Sequence, residues 1–208
     1  MSRLTVDADG RQLLRDGEPF PLIVDTAWSS FSDPSEVEWR SYLATRRGQG
    51  FTGVLVTLLP VLHDRDLRPD AREPFRLDRN GHHDFARLDD AFFTAAHEFT
   101  RIAHEEFGIR LLVTVLWNNY LPGTWGAEAT PHAVMPEDAR RAFVEETIAT
   151  FRDLEPIFVI GGDDLYTVPA ANAAYLEASD RLRAGVPHAL QTTHTAPNAD
   201  VPLSLIHI

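Results

Sequence analysis

The sequence predicts an α/β protein whose parallel sheet forms part of a (β/α)8 barrel, about five βα units truncated at the C-terminal side, behind a short N-terminal hairpin. Three observations lead there. Apolar runs and amphipathic, capped segments alternate along the chain, which is the pattern of a parallel sheet with crossover helices. The runs are apolar throughout rather than alternating, as in strands covered on both faces. The long polar loops follow strands while the returns from helix to strand are short, as in a barrel that carries its chemistry on one rim. A doubly wound nucleotide fold is the rival. It is disfavoured because the first strand runs into Asp25-Thr26-Ala27-Trp28 and neither G-x-G-x-x-G nor a P-loop occurs.

Residues 1–20 hold two short alternating pieces with Asp9-Gly10 and Asp16-Gly17 as turns, and read as a hairpin. Residues 21–202 read as strands one to five of the barrel. The first strand is expected at 21–24. A helix follows from Asp33-Pro34-Ser35-Glu36, read as cap, first-turn proline and third-position acid, and runs to Gly48 or Gly50. Residues 51–59 are the second strand, 60–83 a polar loop, and 84–107 a helix stopped by Gly108. The third strand, 109–116, ends in Trp117-Asn118-Asn119, and a loop leads to a helix starting near Pro136. The fourth strand, 157–160, ends in Gly161-Gly162-Asp163-Asp164. A helix over 169–184 precedes the fifth, 189–193, which ends in His194.

The 208 residues suffice for one domain with a core. A net charge of -12 argues against nucleic acid and anionic membranes as partners, since nothing would release phosphate counterions. Without cysteine there is neither a disulfide framework nor a thiolate zinc site. No signal peptide opens the chain and no run approaches a membrane span, so the expectation is a cytoplasmic protein.

The strand ends gather Asp25 and Trp28, then His63, then Trp117, Asn118 and Asn119, then Asp163 and Asp164, then His194, with Trp125 in a rim loop. Tryptophan suits stacking on a sugar ring, and Asp, Asn and His suit hydrogen bonding to hydroxyls. A metal held by His63, Asp163 and His194 is the lesser reading, because no pair has ligand spacing; no metal and no cofactor are expected.

The stretch from Phe20 to Trp28, Gly50-Phe51-Thr52-Gly53-Val54, Ile160-Gly161-Gly162-Asp163 and Thr193-His194 together resemble the apiosidase-like glycoside hydrolases, (β/α)8 barrels of the large clan of retaining glycosidases. The resemblance extends to about residue 200. It implies a carbohydrate substrate, Asp163 as catalytic general acid/base, and Asp25, Trp28, Trp117, Asn118, Asp164 and His194 around the sugar. Two positions depart from the family pattern. Val24 stands where the family usually has Gly, and its bulk is expected to narrow the subsite. Asp164 adds a second carboxylate, whose charge is expected to favour the protonated form of its neighbour.

Retention needs two carboxyl groups about 5–5.5 Å apart. In this clan the nucleophile is usually a Glu after the seventh strand, and no Glu ends a strand after Asp163. Residues 1–208 are therefore expected to contain the acid and lack the nucleophile, to fold poorly or associate alone, and to be inactive. The tail, residues 203–208, resembles the translation of a sequencing-library adapter; a natural segment is the other reading. The alternatives to a glycosidase are a non-catalytic carbohydrate-binding barrel and a metal-dependent barrel lyase or isomerase.

Overall fold

Burial on both faces is what makes the central strands of this protein continuous apolar runs. The computed structural model describes residues 3–62 and 70–197. Three short strands open the chain: β1 (Leu4–Val6), β2 (Leu13–Arg15) and β3 (Glu18–Pro19), in one antiparallel sheet. A third strand thus joins the two predicted pieces. Asp16 and Gly17 both have positive φ (56° and 84°), the backbone that a two-residue hairpin turn matched to strand twist requires.

The main sheet begins with β4 (Val24–Thr26), and a 3-10 turn at Trp28–Phe31 leads to α1 (Glu36–Gly48). The helix starts two residues later than predicted. Ser35, not Asp33, is the cap: its Oγ accepts from the Glu38 amide at 3.3 Å while the Glu38 carboxylate accepts from the Ser35 amide at 2.8 Å. That reciprocal box outcompetes the Asp33 start.

After β5 (Gly53–Thr57) the predicted loop and early helix give way to a hairpin, β6 (Phe75–Leu77) with β7 (His83–Leu88). Its apolar anchor is Phe75, fully buried against Phe85 and Phe143 at ring-centroid distances of 5.1 and 5.6 Å. The next helix, α2 (Asp90–Arg101), is capped by Asp89, which accepts from the Ala91 amide at 3.0 Å, and runs into a π turn at Ile102–Glu106. Then come β8 (Arg110–Trp117), the short α3 (Trp125–Ala129), α4 (Glu137–Phe151), β9 (Ile157–Gly162), α5 (Pro169–Gly185) and β10 (Gln191–Thr192).

The main sheet has the order β10-β9-β8-β5-β4 with every pair parallel, so successive main-sheet strands are neighbours. All eight residues of β8, at the centre, are buried. Val54, Val56, Leu111, Val113, Phe158 and Ile160 turn toward the helices and join Trp39, Leu43, Phe143 and Tyr175 in the main core. Leu55, Leu112, Ile157 and Val159 turn to the other face, where Leu4, Leu13 and Phe20 of the N-terminal segment cover them. Each large apolar side chain so buried contributes roughly 1.5–3 kcal/mol before chain entropy is charged against it. The N-terminal sheet therefore lies under the strand starts, leaving the strand ends as the open rim. Among the described residues, no helix is long and apolar enough to cross a membrane.

Val24 belongs to that lower layer. Its side chain packs with Leu22 and Leu55, and its Cγ2 lies 3.1 Å from where a Cβ on Gly53 would be. It sits at the opposite end of the strands from Asp163, so the expected narrowing of the subsite does not follow.

Candidate active site

Two glycines carry β9 to the rim because rings close in on its backbone from two directions. A Cβ on Gly161 would lie 2.6 Å from the Tyr175 ring and 2.7 Å from the Tyr166 hydroxyl. One on Gly162 would lie 2.1 Å from the Trp117 ring. Only hydrogen fits at either position.

Asp163 follows with φ 51°, the left-handed region, which costs a non-glycine residue on the order of 1–3 kcal/mol unless its surroundings enforce it. Three side chains hold its backbone. Asn118 donates from Nδ2 to the Asp163 carbonyl oxygen at 2.5 Å, and Trp125 donates from Nε1 to the same oxygen at 3.0 Å. The Asp163 N–H donates to His194 Nδ1 at 3.3 Å. That last bond needs a lone pair on Nδ1, so the neutral His194 ring carries its proton on Nε2. The Asp163 carboxylate is partly exposed and accepts no hydrogen bond among the described residues.

Beside it stands an aromatic cluster. Trp28 meets Trp117 edge-on at 5.1 Å and 65°, and lies 5.6 Å from His194; Trp117 is 6.3 Å from His194. Trp117 is buried and its Nε1–H has no partner among the described residues, as is also true of Thr114 Oγ1 three residues earlier on β8. Buried donors left without acceptors are costly and mark sites that something else completes.

The structure thus brings Asp163, Trp28, Trp117, Asn118 and His194 together, and adds Trp125 from the rim loop. It does not bring Asp25 and Asp164 to them. Asp25 lies on the helix-facing side of β4, where it accepts from the Tyr42 hydroxyl at 2.7 Å and from Arg46. Desolvation pushes its carboxyl pKa up, but the bonds from Tyr42 and Arg46 outweigh that and leave it below the ordinary value. The same environment pushes the Tyr42 hydroxyl up to about 12, chiefly through burial. Asp164, 2% exposed, accepts from the Tyr175 hydroxyl at 2.8 Å and the Tyr166 amide at 3.3 Å. Burial, reinforced by the Asp164 charge, holds the Tyr175 hydroxyl well above its ordinary value, so Tyr175 stays a donor. Both carboxylates are engaged by partners on the helix side, away from the Trp28–Trp117–His194 cluster. His63, the other histidine of the metal reading, lies outside the described residues, as does the 203–208 tail. A groove of about 650 Å³ lined by Asp90, His97, Glu146 and Asp153 is separate from the cluster, between α2 and α4.

Sequence reasoning passed over Tyr166 and Tyr175. Tyr166, in the loop after β9, and Tyr175, on the buried side of α5, carry no local signal of the carboxylate they will meet. Trp125 was visible as a rim aromatic, but its bond to the Asp163 backbone was not.

A family model described as apiosidase-like, catalytic domain, matches residues 7–204. The chain belongs to this family. No curated protein sequence matches it. Among solved structures, one titled glycoside hydrolase superposes with TM-score 0.70 at 17% identity, covering 94% of this chain and 41% of that one. A glycoside hydrolase family 5 structure from Bacteroides vulgatus ATCC 8482 gives TM-score 0.70 at 18% identity, covering 93% and 39%. A family 5 mannosidase from Rhizomucor miehei, in complex with mannosyl-fructose, gives 0.61 at 13%, covering 95% and 56%. At these identities the likeness is one of fold: the apiosidase-like chain shares the parallel α/β architecture of family 5 glycoside hydrolases. It spans about two-fifths of the length of the first two structures.

Proposed function

We propose that the protein hydrolyses glycosidic bonds with retention of configuration and that Asp163 is its general acid/base. The observation that carries this is the state of Asp163. Its backbone is gripped by Asn118, Trp125 and His194 at the end of β9 while its carboxylate is left unpaired among the described residues, beside a Trp28–Trp117–His194 cluster. Family membership supports the reaction class.

In the first step the Asp163 carboxylic acid gives its proton to the glycosidic oxygen as the bond to the anomeric carbon breaks. A second carboxylate attacks that carbon and forms a glycosyl-enzyme ester. In the second step the Asp163 carboxylate takes a proton from water, whose oxygen displaces the ester, restoring both groups. Trp28, half-buried against the buried Trp117, offers an apolar face to the sugar, and the His194 Nε2–H offers a donor for a hydroxyl. With Asp25 and Asp164 engaged elsewhere, the reading assigns the nucleophile to a part of the protein outside residues 1–208, and these residues alone are then inactive.

Asp163→Asn in the complete protein tests the reading. Turnover of glycosides with poor leaving groups is expected to fall by about 100-fold or more, while activated aryl glycosides, which need less protonation, lose far less. Equal losses on both would assign Asp163 to binding instead.

A further inference from the structure

We infer that Trp125 and Asn118 are positioning residues that set the direction of the Asp163 carboxylate by holding its backbone in the left-handed conformation. The inference rests on the acid/base reading of Asp163 and adds how that acid is aimed.

The loop after β8 is built for this hold. Trp125 is the first residue of α3, whose start is fixed by Thr124: its Oγ accepts from the Ala127 amide at 3.2 Å and donates to the Leu121 carbonyl at 2.9 Å. Asn118 is fully buried, and a Cβ on Gly126 would lie 2.0 Å from its Oδ1, so only glycine at 126 lets the amide sit where it does. Asn119 braces the other side, donating from Nδ2 to the Gly126 carbonyl at 3.1 Å and to Thr130 Oγ at 2.9 Å. The loop thus presents two N–H donors, an amide and an indole, to one carbonyl oxygen.

That oxygen belongs to a residue with φ 51°, a left-handed conformation that aspartate adopts more readily than most side chains but that stays uncommon without contacts to hold it. In the ordinary extended conformation the carboxylate would leave the backbone in a different direction. Both donors therefore stabilise the conformation that aims it. They are also spent by doing so, which removes one Asn118 Nδ2 hydrogen and the Trp125 Nε1 hydrogen from the groups that could bind sugar hydroxyls. A general acid has to be held closely, since a displacement of about 1 Å can cost about 100-fold in rate.

The test uses the complete protein with Trp125→Phe, which deletes one donor and keeps a ring at a partly exposed position, and Trp125→Phe combined with Asn118→Ala. The readouts are kcat and KM for one glycoside with a poor leaving group and one with an activated aryl leaving group, with Asp163→Asn measured alongside. For Trp125→Phe, kcat on the poor leaving group is expected to fall about 10-fold with KM within about two-fold, and the activated substrate to lose less than about two-fold; the double variant extends the selective loss toward 100-fold. Equal loss on both substrates, a change carried in KM, or no change in the single variant would overturn the inference. If Asp163→Asn shows the leaving-group-selective loss and Trp125→Phe does not, positioning fails and the acid/base reading stands. If Asp163→Asn shows none, the reading fails and takes the inference with it.

Discussion

The two sides of the β9 end treat neighbouring aspartates in opposite ways. Toward the rim, Asp163 has its peptide group held by three side chains and its carboxylate free of hydrogen bonds among the described residues. Toward the helices, Asp164 is buried and its carboxylate is filled by the Tyr175 hydroxyl and the Tyr166 amide. Asp25 repeats the second pattern on β4 with Tyr42 and Arg46. A carboxylate at the end of a parallel strand is thus not a site by position alone. The helix side fills these two carboxylates with hydroxyl, amide and guanidinium donors, while the rim leaves the Asp163 carboxylate and the Trp117 Nε1–H without partners among the described residues.

The largest effect expected from this contrast is at the glycines between the two sides. Gly162→Ala forces a Cβ into the Trp117 ring and should cost about 3 kcal/mol in a denaturation titration, with the rim cluster displaced as well. Gly161→Ala presses on Tyr175 instead, so the protein that remains folded should keep its kcat; matching activity losses in the two variants would break the distinction between rim and helix side.

Tyr175→Phe removes the hydroxyl from buried Asp164 and should cost about 2 kcal/mol while leaving kcat within about two-fold. A drop in kcat beyond about ten-fold would mean that Asp164 works with Asp163 after all.

The helix side also carries a pH signature that the rim does not share. His104 accepts from the Leu111 amide at 3.0 Å, and burial, with the nearby Arg110 charge, holds its pKa down to about 3 from an ordinary 6.5. Between those values the unfolded chain binds a proton that the folded one refuses. The His104 contribution is therefore complete above pH 6.5 and lost as pH falls toward 3, at ~1.4 kcal/mol per pH unit. His104→Gln, which can still accept from Leu111, should remove that slope from a pH series of unfolding free energies.

The smallest effect belongs to Asp25. Asp25→Asn should lower stability by about 0.5–1 kcal/mol at neutral pH, because the pair with Arg46 is part-exposed. With the folded pKa depressed, that difference is present above the ordinary value of 3.8 and disappears as pH falls below it. A change in KM for substrate would return Asp25 to the sugar site.

How much of this was legible in the sequence follows the physics of each feature. Strands covered on both faces show as apolar runs, so the parallel order could be read directly, and Gly161-Gly162 marked a place where the backbone is approached closely. The β6–β7 hairpin was not legible: residues 83–88 mix charge with Phe85, and what makes them a strand is distant packing against Phe75 and Tyr120. The α1 start went to Ser35 because a reciprocal capping box beats a lone acidic cap. Side-chain direction was the largest gap. The residues Asp25, Asp163 and Asp164 all end strands, and only the positions of Tyr42, Tyr175 and Trp125 decide which carboxylate is left free.

The role of Asp163 as acid/base is tested most directly by rescue. In Asp163→Ala of the complete protein, an activated aryl glycoside should still form the glycosyl-enzyme, whose hydrolysis is slow because no base activates water. Added azide, needing no base, should then accelerate turnover and yield a glycosyl azide of retained configuration. No acceleration, or an azide product of inverted configuration, would contradict the assignment.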